Sequence, residues 1–196
     1  ANMNTIARAH DAGPQDLRAW LRAGTADLHA SVDACFADGL GTQSAYARYL
    51  VGMHRFAADF EVVTGALPRQ SYWLANDLRH HALTPLPPSG VIGYARDADE
   101  RLGWDYVMAG SSLGARHLLR GVQALGHRED AGACFLARHA AGGDWRAVLD
   151  RLAARAVVDA PPPALLRGAR DAFGLVQACF DRSSDVPHMS DQEPAA

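Results

Sequence analysis

The sequence contains no lysine: all 19 of its basic residues are arginine, a bias that a GC-rich genome produces. Any carboxylate clamp must therefore be a guanidinium, which pairs bidentately and keeps its charge. Cysteine is scarce, odd in number and widely spaced, with Cys35, Cys134 and Cys179 set among apolar residues. That pattern predicts free thiols in a reducing compartment rather than a disulfide framework or a thiolate metal site. No stretch approaches the roughly 20 continuous apolar residues of a membrane span. Residues Ala1 to Ala12 lack the basic-then-apolar order of a signal peptide. These absences predict a cytoplasmic protein. The net charge of −3 offers no footprint for nucleic acid and no polybasic patch for a membrane surface. Strand-like alternation is missing as well.

What remains is helical periodicity. The 196 residues, 48% hydrophobic and 21% charged, suit one globular domain with a substantial core. A first helix opens around Pro14-Gln15-Asp16 and stops near Gly39, burying Leu17, Trp20, Leu21, Leu28, Val32 and Cys35. A second starts on Thr42 as N-cap and runs to Gly65 and Pro68. A shorter one covers Tyr72 to Leu83, before a rigid connector at Pro85, Pro87 and Pro88. A long central helix spans about Asp97 to Leu125, and another about Asp130 to Ala140. Asp144 is expected to cap Trp145 to Ala156, and a last helix after Pro161-Pro162-Pro163 carries Leu165, Leu166, Phe173, Val176 and Phe180. The reading is all-α: a flexible segment 1–13, one helical domain 14–182 and a disordered polar tail 183–196.

Two segments carry chemistry. On the first helix, Arg22, Thr25, His29 and Phe36 project from one sector beside the apolar stripe. A neutral imidazole there could serve as an axial ligand for heme iron. Arg22 stands about 10 Å away along the axis, within reach of an acidic substituent of the same ligand. On the central helix, Tyr106 to Gly114 contains Gly110, Ser111, Ser112 and Gly114. Each glycine destabilises a helix interior by roughly 1 kcal/mol relative to alanine. Two within a turn, at a Gly/Ser kink site, suit either close helix packing or a backbone that lies against a flat ligand.

Together these segments resemble bacterial heme oxygenases, especially those that make biliverdin for bacteriophytochromes. A basic residue seven positions ahead of the histidine in a Thr-x-x-x-His unit matches Arg22, Thr25 and His29. The distal pattern Tyr-Val-x-x-Gly-Ser-x-Leu-Gly-Gly matches Tyr106, Val107, Gly110, Ser111, Leu113 and Gly114. Ala169-Arg170-Asp171-Ala172-Phe173 resembles the family's last helix, where an aromatic packs near the heme edge. Order and spacing hold from about Leu17 to Phe180. In many members an aspartate follows the first distal glycine and orders water; here it is Ser111, and the second glycine of the usual pair is Ala115.

The resemblance implies a helical bundle with heme sandwiched between a proximal helix and a kinked distal helix. His29 would be the iron ligand; Arg22, Thr25, Tyr106, Leu113 and Phe173 would contact heme; Gly110, Ser111, Ser112 and Gly114 would shape and hydrate the oxygen side. Heme b would be both substrate and cofactor, cleaved with dioxygen to biliverdin, carbon monoxide and ferrous iron. No flavin or nicotinamide fingerprint is present, so electrons would come from a separate ferredoxin or reductase, and a bacteriophytochrome is a candidate acceptor of the biliverdin.

Other candidates are weaker. His80-His81 reads as a solvated helix end and His54 as a hydrogen-bonded core residue, while His117 shares the face of Gly110 and Gly114. Arg146 or Arg151 could clamp a propionate. A heme carrier or sensor without turnover, and a non-heme di-iron oxidase or thiaminase-like hydrolase on the same fold, are the alternative classes. A di-iron site wants Glu-x-x-His spacing; Glu61, Glu100 and Glu129, the glutamates ahead of the tail, have no histidine three residues on.

Overall fold

The structure, a computed structural model, describes residues 16–90 and 93–185. The segment 1–13, the helix opening at Pro14-Gln15 and the tail beyond residue 185 lie outside the described residues. The elements are α1 (Leu17–Ala34), α2 (Gln43–Thr64), α3 (Gln70–His80), α4 (Ala98–Ala124), α5 (Cys134–Ala141), α6 (Asp144–Ala154) and α7 (Pro163–Arg182), closed by a 3-10 turn at Ser183–Asp185. Among the described residues no strand forms, and no helix is long and apolar enough to cross a membrane.

Three helices start where local capping chemistry directs. The carboxylate of Asp16 accepts from Ala19 N at 3.2 Å, the Thr42 hydroxyl from Ala45 N at 3.2 Å and Asp97 from Glu100 N at 2.8 Å. Gly65 ends α2 at φ +69°, the left-handed conformation a helix C-terminus favours. Two other starts depend on distant carboxylates. Buried Glu61 of α2 accepts from Ser71 N at 2.9 Å and Ser71 Oγ at 2.7 Å, so α3 begins at Gln70 and not at Tyr72. Buried Asp77 of α3 accepts from Cys134 N at 2.8 Å and Phe135 N at 2.9 Å, so α5 begins at Cys134 and not near Asp130. Each satisfies amide donors that the local sequence leaves without a cap.

Further boundaries also shift. Asp144 is the first residue of α6 and not its cap, because its carboxylate is paired with Arg69. α1 ends at Ala34, which places Phe36 beyond the helix; its ring packs edge-on against Phe180 at 4.8 Å and Tyr49 at 5.6 Å, leaving the sector expected to face a ligand. Ser183 is wholly buried and donates to Phe180 O at 2.8 Å, so ordered chain continues past Arg182.

The core gathers the apolar faces of all seven helices. α4 and α7 cross at Gly103 and Gly168, where bare backbone meets bare backbone. A Cβ on Gly103 would lie 2.6 Å from Ala169 N and closer still to Leu165 O; one on Gly168 would lie 2.9 Å from Glu100 C. α1 and α4 both pack on α6 and α7, yet no Cα of α1 comes within 8 Å of one in α4. The two helices therefore stand apart, each packed on α7, and the gap between them is the candidate cleft.

Candidate heme site

His29 is exposed on α1 beside this cleft, and its ring meets Phe173 of α7 edge-on at 5.7 Å. Its Nδ1 lies 3.0 Å from Asp33 Oδ2, one turn on. An Nδ1–H in that position points at the carboxylate, which leaves Nε2 as the ring nitrogen not engaged by Asp33. Metal-bound histidines are oriented in this way, with the second N–H held by an oxygen acceptor that fixes tautomer and ring angle. Asp33 is a component the sequence motif did not flag, although its i+4 spacing from His29 was visible.

Across the cleft, Gly110, Leu113, Gly114 and His117 follow one another at helical-face spacing, and Leu113, Gly114 and His117 are exposed. A Cβ on Gly114 would meet nothing within 4 Å, whereas one on Gly110 would touch only the Trp145 ring, at 3.5 Å. Neither glycine serves a close helix crossing; that role belongs to Gly103 and Gly168. α4 runs unbroken through this region, with Ser111 Oγ and Ser112 Oγ each donating back to a carbonyl, Met108 O and Ala109 O, at 2.7 Å.

Aromatics and arginine link α4, α6 and α1. The Tyr106 and Trp145 rings lie 5.6 Å apart, and the Arg18 guanidinium sits over Trp145 at 5.5 Å from its centre. Burial pushes the Tyr106 phenol upward, partly offset by the charges of Arg18 and Arg22, which places both arginines of α1 near it. Arg22 is exposed and makes no ion pair among the described residues. The two arginines expected near α6 are already paired: Arg151 with Asp105 at 2.7 Å and Arg146 with Asp150 at 3.3 Å. Arg18 and Trp145 are what motif reading overlooked.

Ser111 has a second partner that no local pattern signals. Its Oγ lies 2.8 Å from Nε2 of His139, which is 3% exposed and stacks on Phe135 with ring centres 4.8 Å apart. Burial lowers the His139 imidazole to about 4, only partly countered by Asp144. It is therefore neutral at pH 7. A Ser–His pair thus occupies the position where the resemblance expects an aspartate.

Two of the expected contacts are not in the cleft. Thr25 is buried with Oγ1 donating to Leu21 O at 2.8 Å, and Ser112 is buried on the core side of α4. Both hydroxyls are occupied by the helix's own carbonyls. His54 is half-buried, and its Nδ1 finds no hydrogen-bond partner among the described residues, so the role expected of it is unmet at that nitrogen. Cys134 and Cys179 are buried free thiols pushed upward by burial, and Cys35 is a half-buried free thiol.

No protein-family model matches the chain, and no curated protein matches it in sequence. Among solved structures, the fold is similar to a heme oxygenase from Neisseria meningitidis determined with NO and CO bound. The match has a TM-score of 0.62 and 22% identity, covering 91% of this chain and 96% of that one. The all-α bundle is therefore the fold of a heme oxygenase.

Proposed function

We propose that this protein is a heme oxygenase that binds heme in the cleft between α1 and α4. What supports the reading is His29: exposed, with Nδ1 3.0 Å from Asp33 Oδ2, on a helix that stands apart from α4, where the backbone of Gly114 is uncovered. A macrocycle needs a wall without side chains, and Gly114 provides one. Heme bound there would supply the iron–oxygen chemistry that cleaves its own ring to biliverdin, carbon monoxide and ferrous iron.

The chain's own residues position and protect. His29 would hold the iron through an imidazole nitrogen, without the strong electron push of a thiolate ligand. Arg22, with Arg18 close by, would offer a guanidinium to a propionate and so set the rotation of the ring. Phe173 and Leu113 supply apolar contact, and Tyr106 with Trp145 closes one end against water. Ser111, held by Met108 O and His139, presents an uncharged hydroxyl on the oxygen side, able to pass a proton through water. His139 holds that hydroxyl without adding a charge. Electrons would come from a ferredoxin or reductase in a reducing cytoplasm, and the biliverdin would pass to a bacteriophytochrome.

The test is addition of hemin to the full chain, followed by ascorbate or reduced ferredoxin in air. A sharp Soret band at one equivalent, then conversion to biliverdin and carbon monoxide, is expected. A stable complex that never turns over would identify a carrier. If His29→Ala kept an unchanged iron–histidine resonance Raman band, the proximal assignment would be wrong.

A further inference from the structure

We propose that His80, His81 and His127 form a second metal site, separate from the heme cleft, for a divalent d-block cation such as Zn2+. His80 ends α3, His81 follows as its C-terminal cap, and His127 lies in the connector from α4 to α5. One ligand nitrogen from each falls within 4.8 Å of the other two. A tetrahedral zinc with bonds of about 2.0–2.1 Å sets its ligand nitrogens roughly 3.4 Å apart. Side-chain rotation at a partly exposed site can close that difference.

The outer contacts such a site needs are already present. His81 Nε2–H donates to Gly132 O at 3.0 Å, and His127 Nε2–H donates to Gln43 Oε1 at 3.0 Å. With Nε2 so engaged, Nδ1 of each ring is the nitrogen available to a cation, the arrangement that orients metal-bound imidazoles. Gly132 O is itself anchored by the buried Tyr46 hydroxyl at 2.6 Å, and Gly132 holds φ +86°, a conformation other residues rarely adopt. The buried Asp77 carboxylate lies one turn before His81 on α3. Three imidazoles with no carboxylate or thiolate among them suit zinc, copper or nickel rather than calcium or magnesium. Three protein ligands leave a fourth position for water. The cation would tie α3 to the α4–α5 connector, and through Gln43 and Tyr46 to α2.

The experiment titrates Zn2+, and separately Co2+, into the full chain without heme. One equivalent of Zn2+ should bind, Co2+ should develop the visible bands of a tetrahedral nitrogen site, and the melting temperature should climb with zinc concentration. H127A should abolish binding. H80A, at an exposed position whose loss leaves the fold intact, should weaken it at least tenfold, and Q43A should weaken it by about tenfold or more. H29A should bind zinc at this site like the wild type. Zinc affinity unchanged in both H80A and H127A, or no zinc bound by the wild-type chain, would overturn the proposal and leave the heme reading untouched.

Discussion

Three glycines of α4 and α7 make opposite demands, and alanine distinguishes them. Gly103 lies where α4 crosses α7: an added Cβ would sit 2.6 Å from Ala169 N and closer to Leu165 O. Both obstacles are backbone, so they move only if the helices separate by about 1 Å to restore ordinary contact near 3.5 Å. Such overpacking costs about 1–3 kcal/mol, against a helix-propensity gain of about 1 kcal/mol for alanine over glycine. Gly103→Ala should therefore be destabilised by up to about 2 kcal/mol, and Gly168→Ala similarly. Gly114 has nothing within 4 Å of its missing Cβ, so only the propensity gain acts. The apo form of Gly114→Ala should be more stable by about 1 kcal/mol, or roughly 2–4 °C in melting temperature for a chain of this size. The larger Gly114→Leu should fold equally well yet bind hemin poorly or fail to degrade it. Urea unfolding of the apo-proteins, with hemin titration and turnover, measures both halves. A Gly114→Ala apo-protein as damaged as Gly103→Ala, or a Gly114→Leu protein degrading heme at the wild-type rate, would mean that the open face of α4 is not where heme lies.

His139 should leave a signature in the pH dependence of stability. Its folded value is lowered to about 4 from 6.5, so the unfolded chain takes up a proton that the native state refuses; stability is full above pH 6.5 and is lost as pH falls toward 4. The loss should total about 3 kcal/mol, and His139→Gln should remove that slope; parallel unfolding profiles for the two proteins between pH 6.5 and 4 would refute the assignment. Asp77→Ala should destabilise the protein by about 1–3 kcal/mol in urea unfolding, because two amides at the start of α5 lose a buried acceptor; a change below a few tenths would show that water replaces the carboxylate. Arg22→Glu should weaken hemin binding or produce a mixture of biliverdin isomers, and chromatography showing a single unchanged isomer at unchanged affinity would remove Arg22 from the site.

By itself the sequence determined what short-range chemistry decides. Asp16, Thr42 and Asp97 cap the helices they precede, because a side-chain oxygen reaches amides only two or three residues ahead. The i+4 step from His29 to Asp33 and the shared face of Gly110 and Gly114 were likewise legible, since helix geometry alone places them. Tertiary structure decided everything that needs two distant segments. Glu61 and Asp77 start helices eight or more residues away, through hydrogen bonds no local pattern encodes. Which glycines are packed and which are open could not be told from spacing: Gly103 and Gly168 meet foreign backbone, Gly114 meets none. The partnership of Ser111 with His139, and the gathering of His127 beside His80 and His81, exist only because connectors return the chain to places it has already passed. Hydrogen bonds depend on distances of about 3 Å, and folding alone brings residues so far apart in the chain, such as Ser111 and His139, to that range.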